Sequence, residues 1–200
     1  MLKRYGFLGS LRLLISLIYT KVFFRQARLI RLPFDARNKK SIVIGKGLTT
    51  GFGCRVEAYP LIVGEKILFI GENVEINDYV HIAAGQKIII GNNVLIASKV
   101  FISDINHGIY KGKNPDSPLS APNSRKLSTE PIIIEDNVWI GEGVCIMAGV
   151  TIGVGCVIGA LSVVTKNIPA YSIAVGAPAR VIKTFDFDIN EWISVKNNNA

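Results

Sequence analysis

The chain has 200 residues, of which 49% are hydrophobic, and a formal net charge of +8 at pH 7. This length predicts one domain with a sizeable core, and the positive charge favours anionic partners such as a charged cofactor or an anionic membrane. The repetitive part of the sequence has no basic run with interleaved aromatic residues, so nucleic acid is not an expected partner. Three cysteines make a poor disulfide set, which favours a reducing, cytoplasmic location.

Residues 1–40 are predicted to form an N-terminal helical and extended segment. Residues 1–25 are strongly apolar, but Arg12 and Lys21 interrupt the run and disfavour a membrane-spanning helix. Two interpretations stay open. In one, a helix packs against the rest of the protein or a neighbouring subunit; in the other, a basic amphipathic helix rests on the inner face of the cytoplasmic membrane. The run lacks a small-residue cleavage site, so no secretory signal is expected.

A six-residue repeat dominates residues 41–183. It is clearest in residues 134–169, which divide into IEDNVW, IGEGVC, IMAGVT, IGVGCV, IGALSV and VTKNIP. The first position of each unit is Ile or Val, and the fourth is Asn or Gly in five of the six units. A period of six matches neither an α-helix nor a simple strand; it predicts short strands separated by corners at which Asn or Gly adopts positive φ. Three units close a triangular turn of about 18 residues, so we predict an all-β parallel β-helix.

Three segments depart from this repeat. Residues 56–69 break the period and are predicted to contain a small bulge or loop. Residues 108–131 lack the pattern and are rich in proline, so they are predicted to form a protruding loop, and a loop of this length is usually functional. The tail, residues 184–200, is predicted to contain a short helix within Phe185–Lys196, with Asp188 or Asn190 as its N-cap.

Several motifs resemble those of the left-handed β-helix, hexapeptide-repeat acyltransferases. The matching pieces are GNNVLIA (91–97), SDINHG (103–108), DNVWIGEG (136–143), GALSVVTKNIP (159–169) and VGAPARVI (175–182). They are most similar to the branch of galactoside and maltose O-acetyltransferases. The opening segment, together with INDYVHIAA (76–84), resembles bacterial O-antigen and exopolysaccharide O-acetyltransferases. The resemblance implies a left-handed β-helix, a homotrimer, and a loop that reaches over the neighbouring subunit.

The only two histidines, His81 and His107, are candidate bases because imidazole accepts a proton near neutral pH. His107 ends the last unit before the loop, where the resembled family has its catalytic base, so we predict that it is the general base. Asp104 is a candidate for orienting the imidazole, and it could equally be a turn residue. Asn106 flanks the base and is a candidate for orienting it or for binding the acceptor. The acceptor-sugar side of the family's site corresponds here to Asn77, Asp78, Tyr79 and His81.

The resemblance also implies a long groove for acetyl-CoA. Trp139 is expected to line the pantetheine arm, and its outward position in the repeat favours a ligand or an interface over core packing. Lys166 and Arg180 are expected to meet the nucleotide phosphates. The other expected contacts are Gly141, Glu142, Ala160 and Thr165. Family members often have Ser at the position of Glu142. Two histidines cannot supply a three-histidine zinc site, so no metal is expected.

The predicted function is O-acetyl transfer from acetyl-CoA to a sugar hydroxyl, in lipopolysaccharide O-antigen or exopolysaccharide biosynthesis. The oxygen is expected to attack the thioester directly, since no Ser or Cys has a His partner in the repeat pattern. Two alternatives stay open. One is an acetyltransferase for a sugar amine, serine or a xenobiotic, and the other is a non-catalytic solenoid scaffold. The predicted location is the cytoplasm, with peripheral contact to the inner membrane as an option for residues 1–25.

Overall fold

Three sheets of short parallel strands wrap into a triangular β-helix in the computed structural model, which describes residues 2–195. A helix, α1 (Leu2–Phe23), precedes the β-helix, and two 3-10 helices, Lys39–Ser41 and Pro122–Ser124, lie in connections. The first eleven strands are β1 (Leu29–Ile30), β2 (Phe34–Arg37), β3 (Ile42–Ile44), β4 (Thr49–Thr50), β5 (Cys54–Ala58), β6 (Leu68–Ile70), β7 (Glu75–Ile76), β8 (His81–Ala84), β9 (Ile88–Ile90), β10 (Leu95–Ile96) and β11 (Phe101–Ser103). The others are β12 (Ile105–His107), β13 (Leu127–Thr129), β14 (Ile132–Ile134), β15 (Trp139–Ile140), β16 (Cys145–Ile146), β17 (Thr151–Ile152), β18 (Val157–Ile158), β19 (Val163–Val164), β20 (Ser172–Gly176), β21 (Ala179–Asp186) and β22 (Glu191–Ser194). The predicted parallel β-helix with an N-terminal helix is therefore confirmed.

Each coil of the β-helix contributes one strand to each of three faces. The first face has the order β1-β4-β7-β10-β15-β18-β20, the second β2-β5-β8-β11-β16-β19 and the third β3-β6-β9-β14-β17. Late coils have the predicted length of three repeat units, since Trp139 at the end of one unit pairs with Val157 at the equivalent place three units later. An earlier coil is slightly longer than three units, since Glu75 pairs with Leu95. The coils already begin at Leu29, so the β-helix starts before the predicted boundary at residue 41.

The first position of the six-residue unit supplies the core. Ile140, Ile146 and Ile152 are fully buried, and Ile96 stacks directly below Ile140 in the preceding coil. Full burial of one such side chain contributes about 1.5–3 kcal/mol. A continuous column of aliphatic side chains along the axis therefore holds the coils together.

Most corners follow the predicted conformation at the fourth position. Asn137 and Gly143 adopt φ of 59° and 68°. Leu161 also adopts φ of 59°, although it is neither Asn nor Gly, so the stacked coils on either side impose the corner on it. The prediction for Asn167 is wrong, because that residue uses its side chain instead: its Oδ1 accepts a hydrogen bond from the backbone N–H of Thr151 at 2.8 Å.

The 108–131 excursion has an ordered base. β12 and β13 pair antiparallel and stand off the β-helix between the second and third faces, and we call this pair the side hairpin. The predicted loop therefore reduces to residues 108–126. Within it, Arg125 donates to the Tyr110 hydroxyl at 2.8 Å and to the backbone carbonyl of Ser120 at 2.6 Å.

The prediction of a C-terminal helix is wrong. β21 and β22 form an antiparallel hairpin that extends the first face, because β-branched and aromatic side chains in this stretch favour a strand. The Asp186 carboxylate accepts hydrogen bonds from the backbone N–H groups of Asp188 and Ile189, and Asn190 has φ of 56°. Asp188 and Asn190 are thus turn residues rather than helix caps. Residues 196–200 of the predicted tail lie outside the described residues.

Helix α1 turns polar groups toward the β-helix and apolar groups outward. Ser16 and Thr20 are buried, and their hydroxyls accept hydrogen bonds from the backbone N–H groups of Leu32 (3.1 Å) and Ile30 (2.8 Å). The apolar residues exposed on the outer side are Phe7, Leu8, Leu11, Leu14, Ile15, Ile18, Val22 and Phe23. This is the reverse of an ordinary surface helix, which turns its apolar side toward the core. Residues 5–23 are long and apolar enough to cross a membrane by length and composition alone.

Candidate active site

A groove of about 500 Å³ lies on the second face, beside the side hairpin. Outward side chains of stacked strands form its floor, where His81 lies directly below Phe101 and Ala83 below Ser103. The side hairpin forms its wall with Ile105, His107, Leu127 and Thr129. Both histidines of the chain therefore face one groove within a single subunit.

His107 lies on β12 and is exposed to solvent. Its backbone carbonyl accepts a hydrogen bond from the Tyr110 hydroxyl, which fixes the strand end. Its imidazole makes no hydrogen bond with any of residues 2–195, so both ring nitrogens are available to a substrate. Asn106 lies between two groove-lining residues of β12 and therefore on the opposite side of that strand.

The carboxylate of Asp104 holds a backbone turn in the coil below. Its Oδ1 accepts the N–H of Gly85 at 2.6 Å, and its Oδ2 accepts the N–H groups of Gln86 at 2.9 Å and Lys87 at 2.7 Å. The side chain is fully buried, and no hydrogen bond joins it to His107 in the described part of the chain. We therefore interpret Asp104 as the turn residue and not as the residue that orients the imidazole.

His81 contacts a buried carboxylate. Its Nε2 lies 2.8 Å from Oε1 of Glu57, whose side chain is only 5% exposed. Glu57 also accepts a hydrogen bond from the hydroxyl of Tyr59 at 2.7 Å. Burial raises the pKa of Glu57, but the hydrogen bonds from Tyr59 and His81 and the nearby charge of Arg55 together outweigh burial, so this pKa lies below its ordinary value. The carboxylate is therefore ionised at neutral pH.

The other predicted acceptor residues lie at the corner before β8 and take part in coil stacking. The side-chain amide of Asn77 donates to the carbonyl of Ile96 at 3.0 Å, and Asp78 accepts the N–H of Phe52 at 2.7 Å. Tyr79 has φ of 57°, and its ring packs edge-on against Phe52. The structure thus separates these three residues from the groove and brings only His81 together with His107.

The residues predicted to contact acetyl-CoA are spread over several positions. Trp139 is 52% exposed on the first face. Gly141 stacks on Ala160, which lies at the equivalent corner of the next coil, so closely that a Cβ on Gly141 would lie 2.6 Å from the Ala160 nitrogen. Glu142, also at this corner, forms an exposed ion pair with Lys99 at 3.2 Å.

The remaining donor candidates lie further along the chain. Thr165 and Lys166 are exposed at the corner that follows β19, where the chain passes from the second face to the third. Arg180 is exposed on β21 at the end of the first face. A single chain therefore does not gather the predicted donor contacts into one groove.

Sequence reasoning missed Arg55, Glu57 and Tyr59. They fall in or beside the stretch 56–69, which breaks the six-residue period and was expected to be a bulge or loop. The available signal was the alternation in CRVEA, which predicts a strand with Arg55 and Glu57 on its outer side. Among the described residues no group of three or more His, Cys, Asp or Glu side chains could hold a metal ion.

The repeat and the three-faced coil place this chain in the class of hexapeptide-repeat β-helix proteins, and the imidazole in its lateral groove is a candidate base. Residues 131–166 match the family described as bacterial transferase hexapeptide (six repeats). The chain is 42% identical over 191 residues, 95% of each protein, to the putative lipopolysaccharide biosynthesis O-acetyl transferase WbbJ of Escherichia coli. It belongs to the hexapeptide-repeat acetyltransferases, which are left-handed β-helices, and the predictions of family and of an enzyme are confirmed.

Two solved structures are similar at the level of sequence and fold. A maltose O-acetyltransferase from Clostridium difficile is 36% identical with a TM-score of 0.56, over 74% of this chain and 73% of that one. A galactoside acetyltransferase in complex with coenzyme A is 35% identical with a TM-score of 0.52, over 74% of this chain and 70% of that one. Both agree with the predicted branch.

Proposed function

We propose that this protein transfers an acetyl group from acetyl-CoA to a sugar hydroxyl during lipopolysaccharide O-antigen or exopolysaccharide biosynthesis. The observation that carries the proposal is the exposed His107 imidazole, free of hydrogen bonds to any described residue, in the groove of a hexapeptide-repeat acetyltransferase. The similarity to an O-acetyl transferase named for lipopolysaccharide biosynthesis, along almost the whole chain, supports the choice of acceptor. The coenzyme A bound by a similar galactoside acetyltransferase supports the choice of donor.

In the proposed reaction His107 is the general base. Its imidazole takes the proton of the acceptor hydroxyl while the oxygen forms a bond to the thioester carbonyl carbon. The carbon–sulfur bond then breaks, and the thiolate of coenzyme A leaves with the proton that the imidazole had accepted. An ester, free coenzyme A and an unchanged His107 remain, with no acyl-enzyme intermediate. Backbone N–H groups beside the thioester would stabilise the oxyanion.

The active assembly in this proposal is a homotrimer. Trp139 and Arg180 lie on the first face, whereas Lys166 lies at the corner that follows β19 of the second face, so a second copy is needed to enclose an extended acetyl-CoA molecule. In this arrangement Trp139 lines the pantetheine arm, and Lys166 and Arg180 meet the phosphates. Light scattering should give three times the chain mass of 21.8 kDa.

We expect acetyl-CoA to release free thiol only when a suitable methyl glycoside is present. The test is a panel of methyl glycopyranosides, amino sugars, serine and chloramphenicol. Release of the coenzyme A thiol is measured with a chromogenic thiol reagent, and the products are identified by mass spectrometry. A hydroxylamine-labile ester on a glycoside supports the proposal. A hydroxylamine-stable amide on an amino sugar, or an acetylated product of serine or chloramphenicol, would favour the other acceptor class. Failure of acetyl-CoA to bind in calorimetry would favour a scaffold.

We further propose that the outer side of α1 rests on the anionic inner face of the cytoplasmic membrane. Apolar side chains such as Phe7, Leu8 and Ile18 are 59–74% exposed there, and this surface is large for a water-facing helix. No Asp or Glu precedes Asp35 in the sequence, so anionic lipid matches the charge of this opening stretch. The Lys and Arg residues before Asp35 are Lys3, Arg4, Arg12, Lys21, Arg25, Arg28 and Arg31.

The double substitution Leu14→Glu and Ile18→Glu is expected to abolish flotation with phosphatidylethanolamine–phosphatidylglycerol vesicles. Both side chains lie on the outer side of α1, where a charge opposes insertion among lipid chains. Leu119→Glu is the matched control, since Leu119 is 95% exposed in the 108–126 loop, and it should float like the unaltered protein. The surface would instead belong to a contact with a neighbouring subunit if two results were obtained together. The unaltered protein would not bind the vesicles, and the double variant would have a smaller mass than the unaltered protein in light scattering.

A further inference from the structure

The groove contains a second imidazole whose orientation is fixed, unlike that of His107. The His81 ring lies 2.8 Å from the buried Glu57 carboxylate through Nε2, and its side chain is 27% exposed toward the groove. Glu57 is itself held by Tyr59 at 2.7 Å and by Arg37 at 3.2 Å. A base oriented by a buried carboxylate is the arrangement found in catalytic triads.

The contacts of His81 determine which ring nitrogen is free. Nη2 of Arg55 lies 2.9 Å from Nε2 and 3.4 Å from Nδ1, so it lies over the face of the ring and not in line with either lone pair. The in-plane partner of Nε2 is therefore Glu57. An ionised carboxylate can only accept, so Nε2 carries the shared proton. Nδ1 is left without an in-plane partner among the described residues.

The groove floor beside His81 has a shape and polarity suited to a sugar. Phe101 lies in register above His81, with ring centroids 5.3 Å apart, and offers an apolar surface for the C–H face of a pyranose. The hydroxyls at the rim of such a ring would meet imidazoles on two sides, His81 on the floor and His107 on the wall.

We propose that His81, positioned by Glu57, binds a second hydroxyl of the acceptor through Nδ1 while His107 deprotonates the first. The substrate class is then a pyranose with at least two free hydroxyls, of which one is acetylated and one is held. Glu57 is a positioning residue, because it acts through His81 and is too deeply buried to act alone. This inference rests on the proposed function.

The first test is kinetic and uses the methyl glycoside that the unaltered protein acetylates fastest. His81→Gln keeps a polar group near Glu57 and removes Nδ1, so the KM for this glycoside should rise about tenfold or more, with kcat at saturation and the KM for acetyl-CoA changed by less than about threefold. For the unaltered protein, the KM for a derivative that lacks the second hydroxyl should be higher than the KM for the parent glycoside by a similar factor. For His81→Gln, the two KM values should be equal.

Glu57→Gln should raise the same KM in the same direction, because the imidazole loses its charged acceptor, and Glu57→Asp should recover part of the loss. Glu75→Gln is the matched control: Glu75 is a carboxylate beside Arg28 on the first face, away from the groove, and its substitution should leave both KM values unchanged. A fall in kcat at an unchanged acceptor KM in His81→Gln would overturn the inference and make His81 the base. Unchanged kinetics in that variant would also overturn it.

The second test does not depend on turnover. In His107→Ala, His81 is the only histidine, so nitrogen-15 labelling of histidine in the untagged protein gives one imidazole to observe. We expect a proton on Nε2, and a shift of the Nδ1 signal when methyl glycosides are added. If the unaltered protein acetylates glycosides but Nδ1 does not respond, this inference fails and the proposed function stands. If no glycoside is acetylated but Nδ1 responds, the proposed function fails and the binding site stands.

Discussion

Replacing His107 by alanine is expected to lower kcat/KM by about 100-fold or more, while the protein stays folded. The effect on rate follows from the loss of the general base, which accepts the hydroxyl proton in the transition state. The effect on stability should be within about 0.5 kcal/mol, because the ring is exposed and makes no hydrogen bond to the described residues. Steady-state kinetics with the best glycoside and thermal unfolding are the two measurements.

Leu127→Ala is a useful comparison for this variant, since Leu127 pairs with His107 across the side hairpin and also lines the groove. That substitution removes apolar contact without removing a base, so it should change KM more than kcat. Normal turnover by His107→Ala would exclude this histidine as the base and would leave His81 as the remaining imidazole of the groove.

Replacing Asp104 by asparagine is expected to reduce the free energy of unfolding by about 3 kcal/mol. A carboxylate accepts the three N–H groups of residues 85–87 with two oxygens, whereas an amide offers one oxygen and turns an NH₂ group toward N–H donors. Hydrogen bonds to a charged group contribute about 1.5–3 kcal/mol each, and buried donors without acceptors add a further cost. Urea unfolding measures the loss.

Asp136→Asn is the control for Asp104→Asn. Asp136 also sits at a corner, but it accepts one backbone N–H, that of Asn92 at 2.7 Å, and its other hydrogen bonds come from the exposed side-chain amide of the same residue at 3.3 Å. Its loss should be about 1 kcal/mol. Activity per folded molecule should change little in both variants. If Asp104→Asn keeps its stability but loses activity by orders of magnitude, then Asp104 does orient His107, as the sequence allowed.

The repeating part of the fold could be predicted from the sequence, because the residue types within each six-residue unit determine which side chain is buried and where the corner lies. An aliphatic residue such as Ile140 must face the axis, and a residue such as Asn137 tolerates the corner. The prediction of a helix in the tail failed because local residue types did not distinguish between two structures there. Asp188 and Asn190 are common both in helix caps and in hairpin turns, and only pairing with the end of the first face selects the hairpin.

The site was predictable only in part, because its members come together through coil register and not through sequence proximity. His107 was found from its place before the loop. Glu57 was not found, because it precedes His81 by 24 residues and the two meet only when β5 stacks beneath β8. The role of Asp104 was ambiguous for the same reason, since its partners at residues 85–87 lie one coil away.

The three-faced coil also limits how a chain of this kind can change in length. Removing three consecutive repeat units from the late coils, where Trp139 overlies Val157, takes out one complete revolution and leaves every remaining side chain pointing in its original direction. Removing a single unit rotates everything downstream by a third of a revolution, which would turn Lys166 and Arg180 away from their present directions relative to Trp139. Shortening by whole revolutions therefore preserves the arrangement of the three faces. Shortening by one unit would separate the proposed donor contacts, while the first position of every remaining unit still faces the core.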